Sequence, residues 1–211
     1  MSCCSSRMKE DMKRKISLAI TDLIDLATVV HLCPSNDLTK PLSAVKFSVE
    51  PSTKAITATA TDSYRLAIIK RYVLFDLDTT DPFEFIIPSK DVQRIVSIIG
   101  LYGTEYRVVT LDVDDYESTV EFSDPAMKWS TTTGPYRYAW PDLSSVLIER
   151  KPGISASDPV GLNLEFLDDV RKLAGISNAT VKLMSLDGPD KPFTLESRDG
   201  RTMVYVMLSR F

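Results

Sequence analysis

The chain has 211 residues, 44% of them hydrophobic and 26% charged, and its formal net charge is -4. That length supports one or two domains with a real core, and the composition excludes both a disordered chain and a membrane-embedded one. A negative balance argues against a protein that grips nucleic acid by a dominant basic surface, though not against one that encloses it.

No apolar run approaches the ~20 residues of a membrane-spanning helix, and Met1-Ser2-Cys3-Cys4-Ser5-Ser6 lacks the apolar centre of a signal peptide. A cytoplasmic location is expected. Cys3, Cys4 and Cys33 are odd in number, so free thiols are expected rather than a disulfide framework. His31 is the sole histidine, which removes His-based metal clusters, and it follows an apolar run as a helix C-terminal histidine does. The scattered glycines compose no phosphate-binding loop. The expectation is a protein with no metal, no cofactor and no enzymatic activity.

Residues 1–12 read as a flexible tail. From Lys15 the pattern turns helical, with Ile16, Ala19, Ile20, Leu23, Leu26, Ala27 and Val30 recurring at three- and four-residue steps. Residues 42–49 alternate as a strand until Pro51-Ser52 turns the chain. In the stretch that follows, Ile56, Ala58 and Ala60 alternate with Thr57, Thr59 and Thr61, the period of a half-buried strand. Asp62-Ser63 favours a turn and Leu66 to Ile69 resumes an apolar run, so a hairpin is expected with Thr61, Asp62, Ser63, Tyr64 and Arg65 at its tip. A strand over 83–87 then stops at Pro88-Ser89. Val92, Ile95, Val96 and Ile99 mark a second amphipathic helix, with Gly100 expected as a left-handed C-cap. Strands are expected over 106–113, 116–122 and 128–132.

The same order returns near the C-terminus. Val160-Gly161-Leu162 reads as a strand remnant, Asn163 as an N-cap, and Leu167, Val170, Leu173 and Ala174 as a helix face closing on Gly175. Aligning Gly175 on Gly100 also sets Leu162 on Ile87, Leu167 on Val92, Val170 on Ile95 and Leu173 on Ile98, which makes an internal repeat in register. Strands over 180–184, 193–197 and 202–208 follow. The first helix and its hairpin give a third, more divergent copy. The expected fold class is therefore α+β: three strand-helix-three-strand units with helices on one face of antiparallel sheets. Residues 13–147 would form a complete two-unit domain, 148–159 a linker and 160–211 half a domain.

Ala60-Thr61-Asp62-Ser63-Tyr64-Arg65-Leu66-Ala67 resembles the Ala-Thr-Asp-Gly-His-Arg-Leu-Ala motif of bacterial sliding clamps, the β subunits of DNA polymerase III. Further matches follow in order: Phe85-Ile86-Ile87-Pro88 with the strand entering the next helix, Trp140-Pro141-Asp142-Leu143 with the aromatic-Pro-Asp segment joining the second and third clamp domains, and Val204 to Phe211 with the C-terminal strand. The likeness covers nearly all of 16–211, in a shortened version that suggests a compact, phage-encoded clamp. The resemblance implies a clamp fold and a pocket for short Leu- and Phe-containing peptides of a polymerase and a clamp loader. Carried over position by position, its walls would be Leu42, Thr61, Ser63, Tyr64, Arg65, Leu66, Pro141, Val146, Tyr205 and Met207. Ser63 stands where the family has Gly and Tyr64 where it has His.

A lining for duplex DNA would draw on the cations that lie off each apolar stripe. These are Arg14 and Lys15 opening the first helix, Lys90 and Arg94 on the second, and Arg171 and Lys172 on the third. Contacts would be to phosphates, without sequence preference. The function implied is a ring-forming processivity clamp that needs no chemistry. If the ring has twelve units, three per chain imply a homotetramer. The rival reading is a clamp-like peptide-binding decoy or adaptor that never encircles DNA.

Overall fold

The computed structural model describes residues 13–32, 42–73, 80–102, 107–114, 118–124, 126, 128–136, 138–143, 164–173, 182–185, 193–197 and 199–206. The expected linker 148–159, Val160-Gly161-Leu162, Asn163, Gly175, Val146 and Met207 lie outside them.

The described residues open on a strand, β1 (Lys13–Ala19), and the first helix among them, α1, begins only at Ile20 and runs to Ala27 before a 3-10 turn over Thr28–Leu32. This corrects the helix expected from Lys15, and it moves Arg14 and Lys15 off the helix. The residues allow both readings, because Ile16, Leu18 and Ile20 also recur with period two. A partner distant in sequence decides: β1 pairs antiparallel over seven residues with β6 (Val108–Asp114), whose Val109, Leu111 and Val113 are buried in the same alternation.

After the turn come β2 (Ala44–Glu50), β3 (Ala55–Thr61), β4 (Arg65–Tyr72) and β5 (Phe83–Pro88). Helix α2 runs Ser89–Tyr102, straight through Gly100, whose backbone is not left-handed. The expected left-handed C-cap there is thus corrected: Gly100 keeps helical backbone and the helix runs on to Tyr102. Strand β6, β7 (Thr119–Asp124) and β8 (Trp129–Thr132) follow, then α3 (Leu164–Arg171), β9 (Lys182–Ser185), β10 (Phe193–Glu196) and β11 (Thr202–Val206).

Two antiparallel sheets result. One has the order β1-β6-β7-β8 and the other β5-β2-β3-β4-β11-β10-β9. The strand before each of the first two helices has crossed into the other's sheet, since β1 sits on β6 and β5 on β2. The helices lie against one side: α1 packs on β3, β4 and α2, α2 on β2 and β5, and α3 on the 3-10 turn. Ala58, Ala60 and Ala67 are fully buried beneath them, and such small side chains let a helix approach the sheet closely. Phe47 and Phe85, opposite each other on β2 and β5, stack at 5.1 Å. Arg71 on β4 ties α1 to the sheet, donating from Nε and Nη2 to Asp25 Oδ2 at 3.0 Å each.

Candidate peptide-binding face

The β3–β4 tip is built by its own short polar side chains. Arg65 and Tyr64 donate their backbone N–H groups to Asp62 Oδ1 at 2.7 and 2.9 Å, and Thr61 Oγ1 donates to the Arg65 carbonyl at 2.7 Å. Ser63 sits at φ 76°, in the left-handed region, so Ser occupies the conformation for which glycine is suited. Tyr64 is left 63% exposed at the apex.

The tip residues then part to two sides of the sheet. Arg65 turns toward the helices. Its Nε and Nη2 donate to Asp62 Oδ2 at 2.9 and 2.7 Å, and its Nη1 donates to Asp169 Oδ2 on α3 at 2.7 Å. Burial disfavours the Arg65 charge, but the hydrogen bonds to Asp169 and Asp62 outweigh it and hold the guanidinium pKa above its ordinary value. Burial likewise pushes the Asp169 carboxyl up, and the bonds from Lys172 and Arg65 overcome this and hold it below the usual carboxylate range. His31 is shifted down, by partial burial first and by the Lys172 ammonium second.

On the side away from the helices, register brings three elements together. Thr61 lies opposite Leu66, and Leu66 opposite Tyr205 on β11. Next along the same face come Thr59, Ile68 and Met203. Pro141 lies over this second row: with Trp140, Asp142 and Leu143 it lines a cleft of ≈ 610 Å³ floored by Lys46, Ser48, Thr59, Ile68 and Glu84. A second cleft of ≈ 290 Å³ shares Lys46, Glu84 and Trp140 and continues to Phe85, Val113, Val120 and Tyr136. Leu42 precedes β2 and so stands at the tip end of the hairpin, because β2 runs antiparallel to β3. Leu66 and Tyr205 are only 2% and 5% exposed, in contrast to Tyr64 at the apex.

Sequence reading had no signal for Asp169 as the partner of Arg65, for the two are 104 positions apart. It also passed over Lys46 and Glu84, joined at 2.8 Å, whose outward alternation on neighbouring strands was the available clue. The indole Nε1 of Trp140 is shielded from solvent and meets no acceptor among the described residues.

The cations expected to face DNA are largely engaged by protein groups. Arg14 stacks its guanidinium over Phe83 at 4.6 Å, and Lys15 lies 3.8 Å from Asp112 on the neighbouring strand. Arg94 reaches Asp91 at 3.2 Å and donates to the Thr132 carbonyl at 2.9 Å. Arg171 pairs with Asp168, Lys172 with Asp168 and Asp169, and Lys90 is exposed on α2.

No protein-family model and no curated protein matches the sequence. Solved structures do match the fold. The DNA polymerase III β subunit of Thermotoga maritima is similar over 94% of this chain with a TM-score of 0.72 at 13% identity. The chain has the sliding-clamp fold. The DNA polymerase sliding clamp of Pseudomonas aeruginosa is similar over the same share, with a TM-score of 0.74 at 15% identity. The β clamp of Helicobacter pylori, solved with a DNA ligase peptide bound, has a TM-score of 0.70 at 12% identity over 94% of this chain. This chain spans 66% of the length of each of the three, slightly less than two thirds. The clamp fold matches the α+β class, mostly antiparallel sheets with a few helices. Among the described residues no helix is long and apolar enough to cross a membrane.

Proposed function

We propose that this chain is the subunit of a DNA sliding clamp, a ring of several copies that encircles duplex DNA and tethers a polymerase through short peptides. The observation that carries the reading is the meeting of the octapeptide hairpin and the C-terminal strand, Leu66 opposite Tyr205, beside the Trp140–Leu143 cleft. The Helicobacter pylori clamp was solved with a ligase peptide, which supports a peptide as the class of ligand. Aliphatic and aromatic peptide side chains entering this face would each gain ~1.5–3 kcal/mol when fully buried. Leu42, Thr61, Ser63, Tyr64, Leu66, Pro141, Val146, Tyr205 and Met207 remain the proposed walls and rim, and Arg65 holds the tip rather than lining the face.

Light scattering across a concentration series tests the ring, with a closed tetramer of the 23.6 kDa chain expected from unit counting. Retention on circular DNA with release on linearisation tests encirclement. Tyr64→Ala, at an exposed rim position, should weaken binding of a fluorescent Leu/Phe peptide by ~10-fold without changing the melting temperature. Unchanged affinity would move the peptide site elsewhere.

A second reading, a peptide-binding decoy that never surrounds DNA, is favoured by the carboxylates that accompany the helix-layer cations. Neutralising Lys90 and Arg171 should lower the salt dependence of DNA retention in a ring and leave a decoy's peptide affinity untouched.

A further inference from the structure

Asp91 stands in the first turn of α2, where an acidic side chain favours the helix dipole without needing burial, yet it is only 5% exposed. A buried carboxylate is tolerated where its oxygens are hydrogen-bonded or paired, and both of these are. Oδ2 accepts the Gly134 N–H at 2.8 Å, and Oδ1 lies 3.2 Å from Nη2 of Arg94, three residues along the helix. The same Nη2 donates to the Thr132 carbonyl at 2.9 Å. Thr133, between the two, is buried and bonded to Val120 in both directions: its N–H donates to the Val120 carbonyl and its Oγ1 accepts the Val120 N–H, each at 2.9 Å. The chain leaving β8 is thus gripped from two sides, by β7 and by the first turns of α2.

What leaves β8 is the wall of the candidate site. Tyr136 and Trp140 line the smaller cleft, and Trp140 to Leu143 line the larger. Both clefts are floored in part by Glu84 on β5, the strand that runs directly into α2. The Ser89 N–H donates to the Ser43 carbonyl at 2.9 Å and fixes that junction to the residue before β2. One short stretch, Glu84 to Arg94, therefore supplies part of the floor and grips the root of the wall. We infer that Asp91 and Arg94 are positioning residues of the peptide face, which touch no peptide and set the distance between the Trp140–Leu143 wall and the sheet beneath it. The inference rests on the clamp reading for its ligand, a Leu/Phe peptide. It assigns Arg94 to that face rather than to the phosphate contacts expected of the second helix.

Titration of a fluorescent Leu/Phe peptide on the full chain tests this. Arg94→Met keeps the aliphatic stem and removes both bonds. It should weaken the peptide ~3–10-fold, with little change in melting temperature because Arg94 is half-exposed. Arg94→Lys, which can still donate to the Thr132 carbonyl, should recover part of the loss, and Asp91→Asn, which keeps an acceptor for the Gly134 N–H, should fall between. In a Trp140→Ala background the Arg94→Met effect should shrink, because the wall that Arg94 positions is already cut back. Hydrogen exchange over residues 133–143 should accelerate in Arg94→Met while β2 and β3 keep their protection. Strictly additive losses, or weaker binding with unchanged exchange, overturn the inference. Unchanged peptide affinity with a lower salt dependence of retention on circular DNA makes Arg94 a phosphate contact, which overturns the inference and leaves the clamp reading standing. A wild-type chain that binds no such peptide overturns the peptide-face reading, and exchange over 133–143 then decides by itself whether Asp91 and Arg94 hold the wall.

Discussion

Two joints hold the molecule together, and they are made of different materials. The joint between the first two helix-bearing units exchanges whole strands: β1 pairs with β6 over seven residues and β2 with β5 over six, above a shared apolar core that includes Ile16, Phe47, Ile87, Ile95 and Phe122. The joint to the third unit is a five-residue ladder, β4 with β11, fastened at its end by Arg65 between Asp62 and Asp169. The first is non-directional burial, which tolerates small shifts and dominates stability. The second adds to the burial of Val170, Leu173, Val204 and Val206 in the same core a set of charges largely removed from water, which hold only while every partner is present. The same arginine that shapes the hairpin tip also fixes α3, so the candidate peptide face and the third unit are set by one side chain.

The largest effect should come from the first joint. Phe47→Ala removes a ring stacked on Phe85 and should cost ~3–5 kcal/mol in urea unfolding, with the regions on both sides of the joint melting together. If only the first unit loosened, the strand exchange would not be the weld described.

Arg65→Ala should cost ~2–4 kcal/mol, below the full price of breaking a buried pair because Asp169 is partly exposed. The loss should be local. Hydrogen exchange in β10 and β11 should accelerate while β1, β6 and β7 keep their protection, and uniform acceleration would refute the two-joint description.

Acid should act on the second joint before the first. Asp169 is ionised more readily in the folded chain than in the unfolded one, so at low pH the unfolded state takes up more protons there. Its contribution is complete above ~3.9, the unfolded carboxylate value, and fades as pH falls through the lower folded value. Asp169→Asn should flatten the pH dependence of β11 exchange in that window. Equal slopes in the two proteins would assign the acid sensitivity elsewhere.

The smallest change expected is at the tip. Ser63 holds a left-handed backbone that a side chain disfavours by ~1–2 kcal/mol, partly offset by the greater unfolded-state freedom of glycine. Ser63→Gly should therefore raise stability by ~0.5–1 kcal/mol in thermal unfolding. A loss would mean that the serine hydroxyl contributes more than its backbone costs.

Much of this was legible in the residues themselves. Alternation in Ala55–Thr61 marked a strand, Asp62-Ser63 marked the turn, and Val92, Ile95 and Ile99 marked the core face of α2, because each signal is local and repeats with the element's own period. Where two periods fit the same residues, local signals could not choose. Ile16 to Ala19 suits a helix or a strand, and only β6, about 90 to 100 positions away, made it a strand. Gly100 illustrates the converse, a stop signal that the helix runs through.

By itself the sequence determined which residues are apolar, where the chain can turn, and the octapeptide that forms the hairpin tip. Tertiary structure alone decided that β1 and β5 change sheets and that Arg65 faces α3 while Leu66 faces Tyr205. The reason is physical. Periodicity specifies a face, but which partner satisfies that face is settled by hydrogen bonds and buried charges between segments far apart in the chain.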